Sequence, residues 1–400
     1  MNTRLLIMLI IYIMMTLLAL GILAGPLRCA LDPKGDRRWL RTAVMAVLAV
    51  LFAFPAVGAV LPDGKLCYFF QRCGNVFLGF VLYFFGPLLL IRIIMLPRQI
   101  IYRRRHKTGW KPARRTCVIL TASLLALSLV LNISGAFRAH DVRVTRYEID
   151  KEQLGQKDPL RIVLIGDLHI GVNSHFGLYE DMVARINEQK PDLVLVAGDI
   201  VTSAFGAMKD PDRYASLFRQ IRSTCGTYVV YGNHDVDEPL LGGFTYGGAE
   251  NAVRNPGMPE FLENCGWKLL ADDIVRIPEA NGLVLAGRRD EKRPGEDIRE
   301  RASLTELLSG TKPDDPILLL EHEPAELKEL ERSGVDLVVS GHTHDGQVFP
   351  GNVYGRIASP QSYGIKDWGS CTSVVTSGVG FYGPPIRVGT ISEIAVIDAR

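Results

Sequence analysis

Cysteine is scarce in this chain, seven in 400 residues, and none stands at a metal-type spacing such as C-x-x-C. A cysteine-built zinc cage is therefore excluded. Net charge is nearly absent as well: 45 basic against 43 acidic residues leave +2, too little to attract nucleic acid. No Lys/Arg stripe with interleaved aromatics appears in the C-terminal part, so no nucleic-acid partner is expected. That part also lacks internal repeats and low-complexity tracts. The absence with the largest consequence is that of Asp and Glu from four long apolar runs.

Those runs occupy residues 5–24, 43–61, 76–96 and 117–136. Each is about as long as the ~20 residues that cross a ~30 Å hydrocarbon core, and more continuous than a soluble core helix requires. The sequence predicts an all-α membrane domain of four transmembrane helices over residues 1–136, followed by a soluble α/β domain over 137–400. Arg92, near the end of the third run, is the one clear intramembrane charge and can snorkel toward the basic loop beyond it.

Orientation follows from the loops. Arg28, Lys34, Arg37, Arg38 and Arg41 lie between the first two runs. Arg98, Arg103, Arg104, Arg105, Lys107, Lys111, Arg114 and Arg115 lie between the last two, whereas the middle loop holds only Lys65 and Arg72. The positive-inside rule makes the two basic loops cytoplasmic and places everything after residue 137 outside. A cleaved signal peptide is the alternative for the first run. Its apolar stretch exceeds the ~7–15 residues of a signal core, and cleavage would send an Arg-rich loop outward. Cys67 and Cys73 share the short outer loop and are the pair placed to bond there; the odd total leaves at least one thiol free.

Beyond residue 140 the pattern changes to alternating strand and helix. DVRVTRYEI alternates like a strand, RIVLIGD and PDLVLVAGD read as buried strands, and YEDMVARINEQK between them has helical spacing. That order implies a right-handed crossover and a parallel pair, so Asp167 and Asp199 emerge on one sheet edge. PDRYASLFRQIRS continues as helix and TYVVYGNHD as strand, followed by a Gly-rich loop over 236–254 near the site. FLENCGWKLLADD and SLTELLSG read as helices; GLVLAGRRD, DPILLLEHEP and VDLVVSGHTHDGQV as strands. The tail supplies VYGRIASPQSYG, TSVVTSGVGFYGPP and TISEIAVID as further short strands.

Five blocks, each after a β-type run, concentrate metal-binding side chains: Asp167 and His169, Asp199, Asn233 and His234, His322, and His342 and His344. Five of the eight histidines of the chain fall in them, which scattered surface histidines would not produce. Asp, His and Asn suit small, fairly hard cations. Two ions ~3.5–4 Å apart need a bridging carboxylate, and Asp199, the lone carboxylate of its block, is the natural bridge. Arg288 and Arg289, at the end of their strand, are within reach of a phosphate or form an ordinary solvated pair.

The order D-x-H, G-D, G-N-H-D, H and G-H-x-H resembles the calcineurin-like metallophosphoesterase superfamily, from about residue 141 to the C-terminus. Gly346-Gln347 is similar to a GGQ-like element of its membrane-associated bacterial branch, which carries N-terminal transmembrane helices; here Asp345 replaces the first glycine. The resemblance implies a four-layer α/β/β/α sandwich of two mixed sheets flanked by helices. It also implies two divalent ions, Mn, Fe or Zn: Asp167, His169 and His344 would hold one, Asn233, His322 and His342 the other, with Asp199 bridging. His234 would protonate the leaving oxygen, with Asp235 as its orienter or as a loop cap. GDIVTSAFG lacks the second aspartate and the arginine of the protein phosphatase branch, which argues against a phosphoprotein substrate.

The function implied is a membrane-anchored phosphoesterase acting on phosphomonoesters or phosphodiesters by attack of a metal-bridging hydroxide. Its expected surroundings are the lipid bilayer and, from location, lipid-linked or cell-envelope phosphoesters. The competing expectation is a non-catalytic metal-binding sensor or regulatory membrane protein that keeps the fold.

Overall fold

The computed structural model describes residues 3–106, 113–202, 205–246, 253–293, 300–330 and 332–400. Lys107 and Lys111 of the basic loop, Ser203 and Ala204 after the Gly-Asp block, and residues 247–252 of the Gly-rich loop lie outside the described residues. The chain forms two compact units. One runs up to Gly135 and includes Leu240–Tyr246 and Gly383–Pro385; the other comprises Ala136–Pro239, Gly247–Tyr382 and Ile386–Arg400.

The first unit is built on α1 (Thr3–Leu31), α2 (Arg38–Val60), α3 (Lys65–His106) and α4 (Arg114–Ala139), each long and apolar enough to cross a membrane. Phe52, Phe77, Phe84, Phe85 and Leu88 pack with Leu23 and Leu27 in its core, while large apolar side chains such as Met14 and Leu17 face outward. An apolar exterior is costly in water and suits hydrocarbon. The third helix is longer than its apolar run. Lys65, Arg72 and the cationic Arg98–Arg105 segment are helical rather than in loops.

That length overturns the expected cysteine pairing. Cys67 and Cys73 sit on α3 six residues apart, roughly 9 Å along the axis, beyond the ~7 Å Cα reach of a disulfide. Cys67 instead donates its thiol to the Gly58 carbonyl at 3.2 Å. The disulfide of the chain joins Cys29 at the end of α1 to Cys117 at the start of α4.

The second unit begins with β1 (Val142–Ile149), β2 (Leu160–Ile165), α5 (Phe176–Gln189), β3 (Leu193–Ala197), α6 (Pro211–Phe218) and β4 (Thr227–Val230). A hairpin of β5 (Leu240–Leu241) and β6 (Phe244–Thr245), counted with the helical unit, follows. Then come α7 (Gly257–Cys265), β7 (Lys268–Leu269), β8 (Asp273–Ile277), β9 (Leu283–Gly287), α8 (Leu304–Leu307) and β10 (Ile317–Leu320). The chain ends with α9 (Leu327–Leu330), β11 (Leu337–Ser340), α10 (Gly351–Ala358), β12 (Gly364–Asp367), β13 (Thr372–Val375) and β14 (Ser392–Ala399).

Two six-stranded mixed sheets result, ordered β1-β14-β2-β3-β4-β7 and β12-β13-β11-β10-β9-β8. Three apolar cores separate four layers. Ile162, Leu195, Leu285, Leu320 and Val339 meet between the sheets; Val163, Val196, Met182 and Phe261 lie between the first sheet and its helices; Leu319, Val338, Leu307 and Leu330 seal the second sheet under α8 and α9. This is the α/β/β/α sandwich. Its central strands β3, β4, β9, β10 and β11 are buried on both faces, which explains their nearly unbroken apolar runs.

Two segments depart from the expected elements. The helix expected over FLENCGWKLLADD stops at Cys265, because Gly266 takes a left-handed φ of 75° and the chain turns into β7 and β8. VYGRIASPQSYG is helical at its start, not a strand: α10 begins behind Pro350 and leaves Val353, Tyr354 and Ile357 exposed.

Candidate metal centre

Every block leaves the carboxyl end of a strand. Asp167 and His169 follow β2, Asp199 follows β3, Asn233 and His234 follow β4, His322 follows β10, and His342 and His344 follow β11. The two sheets thus each contribute to one cluster. The backbone bends sharply to present them: Asp167, His169, Asp199, His342 and His344 all have φ between 47° and 69°. For side chains with a Cβ that region costs energy, and such strain collects at functional sites. Space is tight as well. A Cβ on Gly232 would collide with the Asp199 carboxylate, and one on Gly378, at φ 75°, would come within 2.5 Å of Asp167 Cβ.

The donors form two groups, Asp167 with His169 and His344, and Asp199 with His322 and His342. His169 Nε2 lies 3.0 Å from His344 Nε2; in the other group His322 Nε2 lies 3.1 Å from His342 Nδ1 and 3.0 Å from Asn233 Oδ1. Ligand atoms at right angles around an ion with ~2.1 Å bonds are ~3 Å apart, so these separations fit the edges of a coordination shell. Asp199 Oδ2 faces both groups, 3.5 Å from His169 Nε2 and 3.3 Å from His322 Nε2.

Second partners fix the rings. His322 Nδ1 is 2.7 Å from the Ala197 carbonyl, which makes it a donor nitrogen and turns Nε2 toward Asn233 and Asp199. His342 turns Nε2 to Glu323 Oε1 at 3.5 Å, and Lys292 Nζ holds both oxygens of Glu323 at 2.8 Å. The buried Arg387 donates Nη2 to the carbonyls of Ser377, at 2.7 Å, and Gly380, at 2.6 Å, binding the loop that backs Asp167.

Electrostatics favour a cation. Burial pushes His169 down to about 3 and His342 to about 4, and lowers His344 well below the ordinary imidazole range, so all three are neutral bases. Burial lifts Asp167 to about 7, a carboxyl short of positive charge. For Asp199 burial acts upward, but His322 and His234 hold it well below the ordinary carboxylate range. His322 is its counterpart: burial acts downward, yet Asp199 raises it well above the usual value. Neutral imidazoles and paired carboxylates converging on shared points are the donor set of a divalent ion.

His234 stands at the edge of the cluster, half-buried, its ring centroid 5.5 Å from that of His169. Burial lowers its pKa against the pull of Asp199. Its backbone N–H donates to Asp199 Oδ1 at 2.8 Å. Asp235 turns elsewhere: Oδ1 accepts from the amides of Ile200 (2.8 Å) and Val201 (3.0 Å), Oδ2 from Gly232 (2.8 Å). Its place is that of a buried clasp between the loops after β3 and β4, and these bonds give it no hold on the His234 ring.

Two residues at the cluster were not expected. Tyr382 stacks on His234, and Gln347 grips the Tyr382 backbone from both sides, Nε2 donating to its carbonyl (2.9 Å) and Oε1 accepting its N–H (2.8 Å). The Gly-Gln element supplied the signal for Gln347; nothing local marked Tyr382. Asp345, in the place of a glycine, adopts φ 49° and is held by Arg356 at 3.0 Å. Arg288 is spent on Glu326, at 2.7 Å, and Glu321, at 3.5 Å, and Arg289 pairs with Asp272 at 3.5 Å; both serve ion pairs.

A family profile described as Calcineurin-like phosphoesterase matches residues 160–346. An uncharacterised metallophosphoesterase of Campylobacter jejuni is 30% identical over 291 residues, 71% of this chain and 70% of that protein. A transmembrane protein with metallophosphoesterase domain from Danio rerio is also 30% identical, over 69% of this chain and 62% of its own length. Among solved structures, a purple acid phosphatase from yellow lupin, Lupinus luteus, is similar at 14% identity and a TM-score of 0.34, over 60% of this chain and 48% of the other.

Proposed function

Because the chain belongs to the calcineurin-like metallophosphoesterase family, we propose that it is a membrane-anchored hydrolase of phosphoester bonds whose site is the cluster between Asp167 and His344. The observation that carries this reading is Asp199 Oδ2, set 3.5 Å and 3.3 Å from histidine nitrogens of two separate donor groups. One carboxylate oxygen between two sets of histidine donors is the arrangement that two ions require.

Asp167, His169 and His344 would hold one ion, Asn233, His322 and His342 the other, and Asp199 both; Mn, Fe and Zn all accept this donor set. Bound there, the pair would acidify water toward neutral pH and neutralise charge on a phosphoryl group. The chain supplies the rest. His234 stands beside the cluster, lowered by burial against the pull of Asp199, and in its protonated form it is the group placed to give a proton to the leaving oxygen. Tyr382 and the backbone bond to Asp199 keep the ring in place.

A substrate at a lipid surface is favoured by the anchor and by α10. This helix starts seven positions after His344 and exposes Val353 at 45%, Tyr354 at 73% and Ile357 at 80%, beside Phe349 at 53%. Such a face is suited to the boundary between head groups and acyl chains. We place the catalytic unit on the outer side, from the basic residues flanking the helices.

A screen of the full-length protein in neutral detergent tests this. It should include phosphomonoesters, phosphodiesters and phospholipids, each with Mn, Fe and Zn added. Metal-dependent turnover that is lost in His234→Ala is expected; turnover unchanged in that variant would remove the assignment to this site. Soluble nucleotides cleaved far faster than any lipid or envelope phosphoester would remove the lipid substrate while leaving the hydrolase intact.

A further inference from the structure

The helical unit contains a cavity of about 670 Å³, within the ~300–1,000 Å³ of ligand pockets. Three helices each give it a cation: Arg28 from the last turns of α1, Arg92 from α3 and Arg114 from the start of α4. No Asp or Glu is among the described residues that line it. Three guanidinium groups on one cavity repel one another unless an anion joins them, and Arg is the side chain suited to a phosphate. The cavity opens to the surface: Arg28 and Arg114 are exposed and Arg92 half-buried, so three helices bring cationic residues to the lining of one open pocket.

Contacts between the helices join the residues that line the cavity. Cys29, next to Arg28, is bonded to Cys117, three positions after Arg114, so two of the three cations are fixed on the same rim. Arg92 is half-buried and lies against α1. Its Nη2 donates to the Ile22 carbonyl at 3.4 Å, and a Cβ on Gly25 would come 2.7 Å from the same atom. Only the missing side chain at Gly25 lets the guanidinium approach so closely.

The remaining wall is apolar, with Leu88, Met95 and Leu120 facing inward. Around it Ile94, Leu96 and Ile119 turn outward, each more than half exposed, so the apolar surface continues from the cavity onto the outside of the helices. A free phosphate would satisfy the arginines and leave this wall in contact with water. An acylated phosphate satisfies both.

We propose that this cavity binds an anionic glycerophospholipid, its phosphate held by Arg28, Arg92 and Arg114 and its acyl chains lying along Leu88, Met95 and Leu120. The site is separate from the metal centre and does not depend on the hydrolytic reading.

Native mass spectrometry of the delipidated full-length protein in neutral detergent tests it, with phosphatidylglycerol, phosphatidylcholine and inorganic phosphate as separate probes. The wild type should bind phosphatidylglycerol at least roughly tenfold more tightly than phosphatidylcholine, as basic residues favour anionic lipid. Inorganic phosphate should not displace it. Arg28→Gln/Arg92→Gln/Arg114→Gln should lose that preference. Leu120→Trp keeps every charge but fills the cavity, and it should lose binding too, which separates the cavity from general surface charge and covers a charge variant that fails to fold. Equal binding of the two lipids, displacement by inorganic phosphate, or full binding by the Leu120→Trp variant would each overturn the proposal.

Discussion

Tyr382 lies stacked on His234, ring centroids 4.4 Å apart and planes at 29°. The same Tyr382 ring is 5.5 Å from His169, so it packs over the expected proton donor and one expected ligand together. Aromatic stacking of this kind contributes about 0.5–1.5 kcal/mol beyond burial. Tyr382→Ala should therefore lower kcat by roughly threefold to tenfold, with a smaller change in metal content, while Tyr382→Phe keeps the ring and most of the rate. Steady-state kinetics of both variants check this; equal losses in the two would shift the role from ring packing to the hydroxyl.

Glu323 acts through His342. It meets His342 Nε2 at 3.5 Å while Lys292 holds it from behind at 2.8 Å. Outer partners of ligating histidines typically account for about 10–100-fold in metal affinity. Glu323→Ala should weaken one of the two metal equivalents by roughly tenfold on that basis. Titration of the apo-protein with Mn or Zn reads the change directly, and an unaltered isotherm would show that His342 needs no such support.

Asp235 is expected to matter for stability first. Its buried carboxylate takes three backbone N–H groups from two loops. Asp235→Ala leaves those donors unsatisfied, at about 1–3 kcal/mol each where water cannot reach them. Thermal unfolding should shift down by several degrees, with activity at low temperature reduced less than in His234→Ala. A normal melting curve with abolished turnover would instead restore Asp235 to a direct part in the reaction.

The five blocks were legible because a parallel α/β sheet puts its chemistry at strand ends, and a strand buried on both faces announces itself as an unbroken apolar run. The proposed ligands carried their own chemical mark. Tyr382 carried none: it reaches His234 only because the loop after β13 folds back over β2, a relation set by the packing of two sheets. Cys29 and Cys117 were hidden for the same reason, being distant in sequence and brought together by helix packing. The misread α10 has Val, Tyr and Ile, whose strand preference is weak and yields to context. The Arg98–Arg105 segment showed the converse, since the charge that ended the apolar run did not end the helix.

Topology can be tested on the same chain. The proposed orientation puts the basic end of the helices in the cytoplasm by the positive-inside rule, while the Cys29–Cys117 bond at that end is of a kind that persists in oxidising compartments. Lys and Arg in short loops set the orientation at insertion, before any disulfide can form. A C-terminal reporter active only outside the cytoplasm should be active. An inactive one would reverse the topology and put the disulfide on the oxidising side.

The proposed role of Asp199 is to join two ions into one hydrolytic site. It is tested most directly by measuring metal content and phosphoester turnover together in the full-length wild type and in Asp199→Ala. About two equivalents of metal are expected in the active wild type; Asp199→Ala should lose at least one of them and its turnover with it. Asp199→Ala that turns over substrate at the wild-type rate, whatever its metal content, would contradict the account.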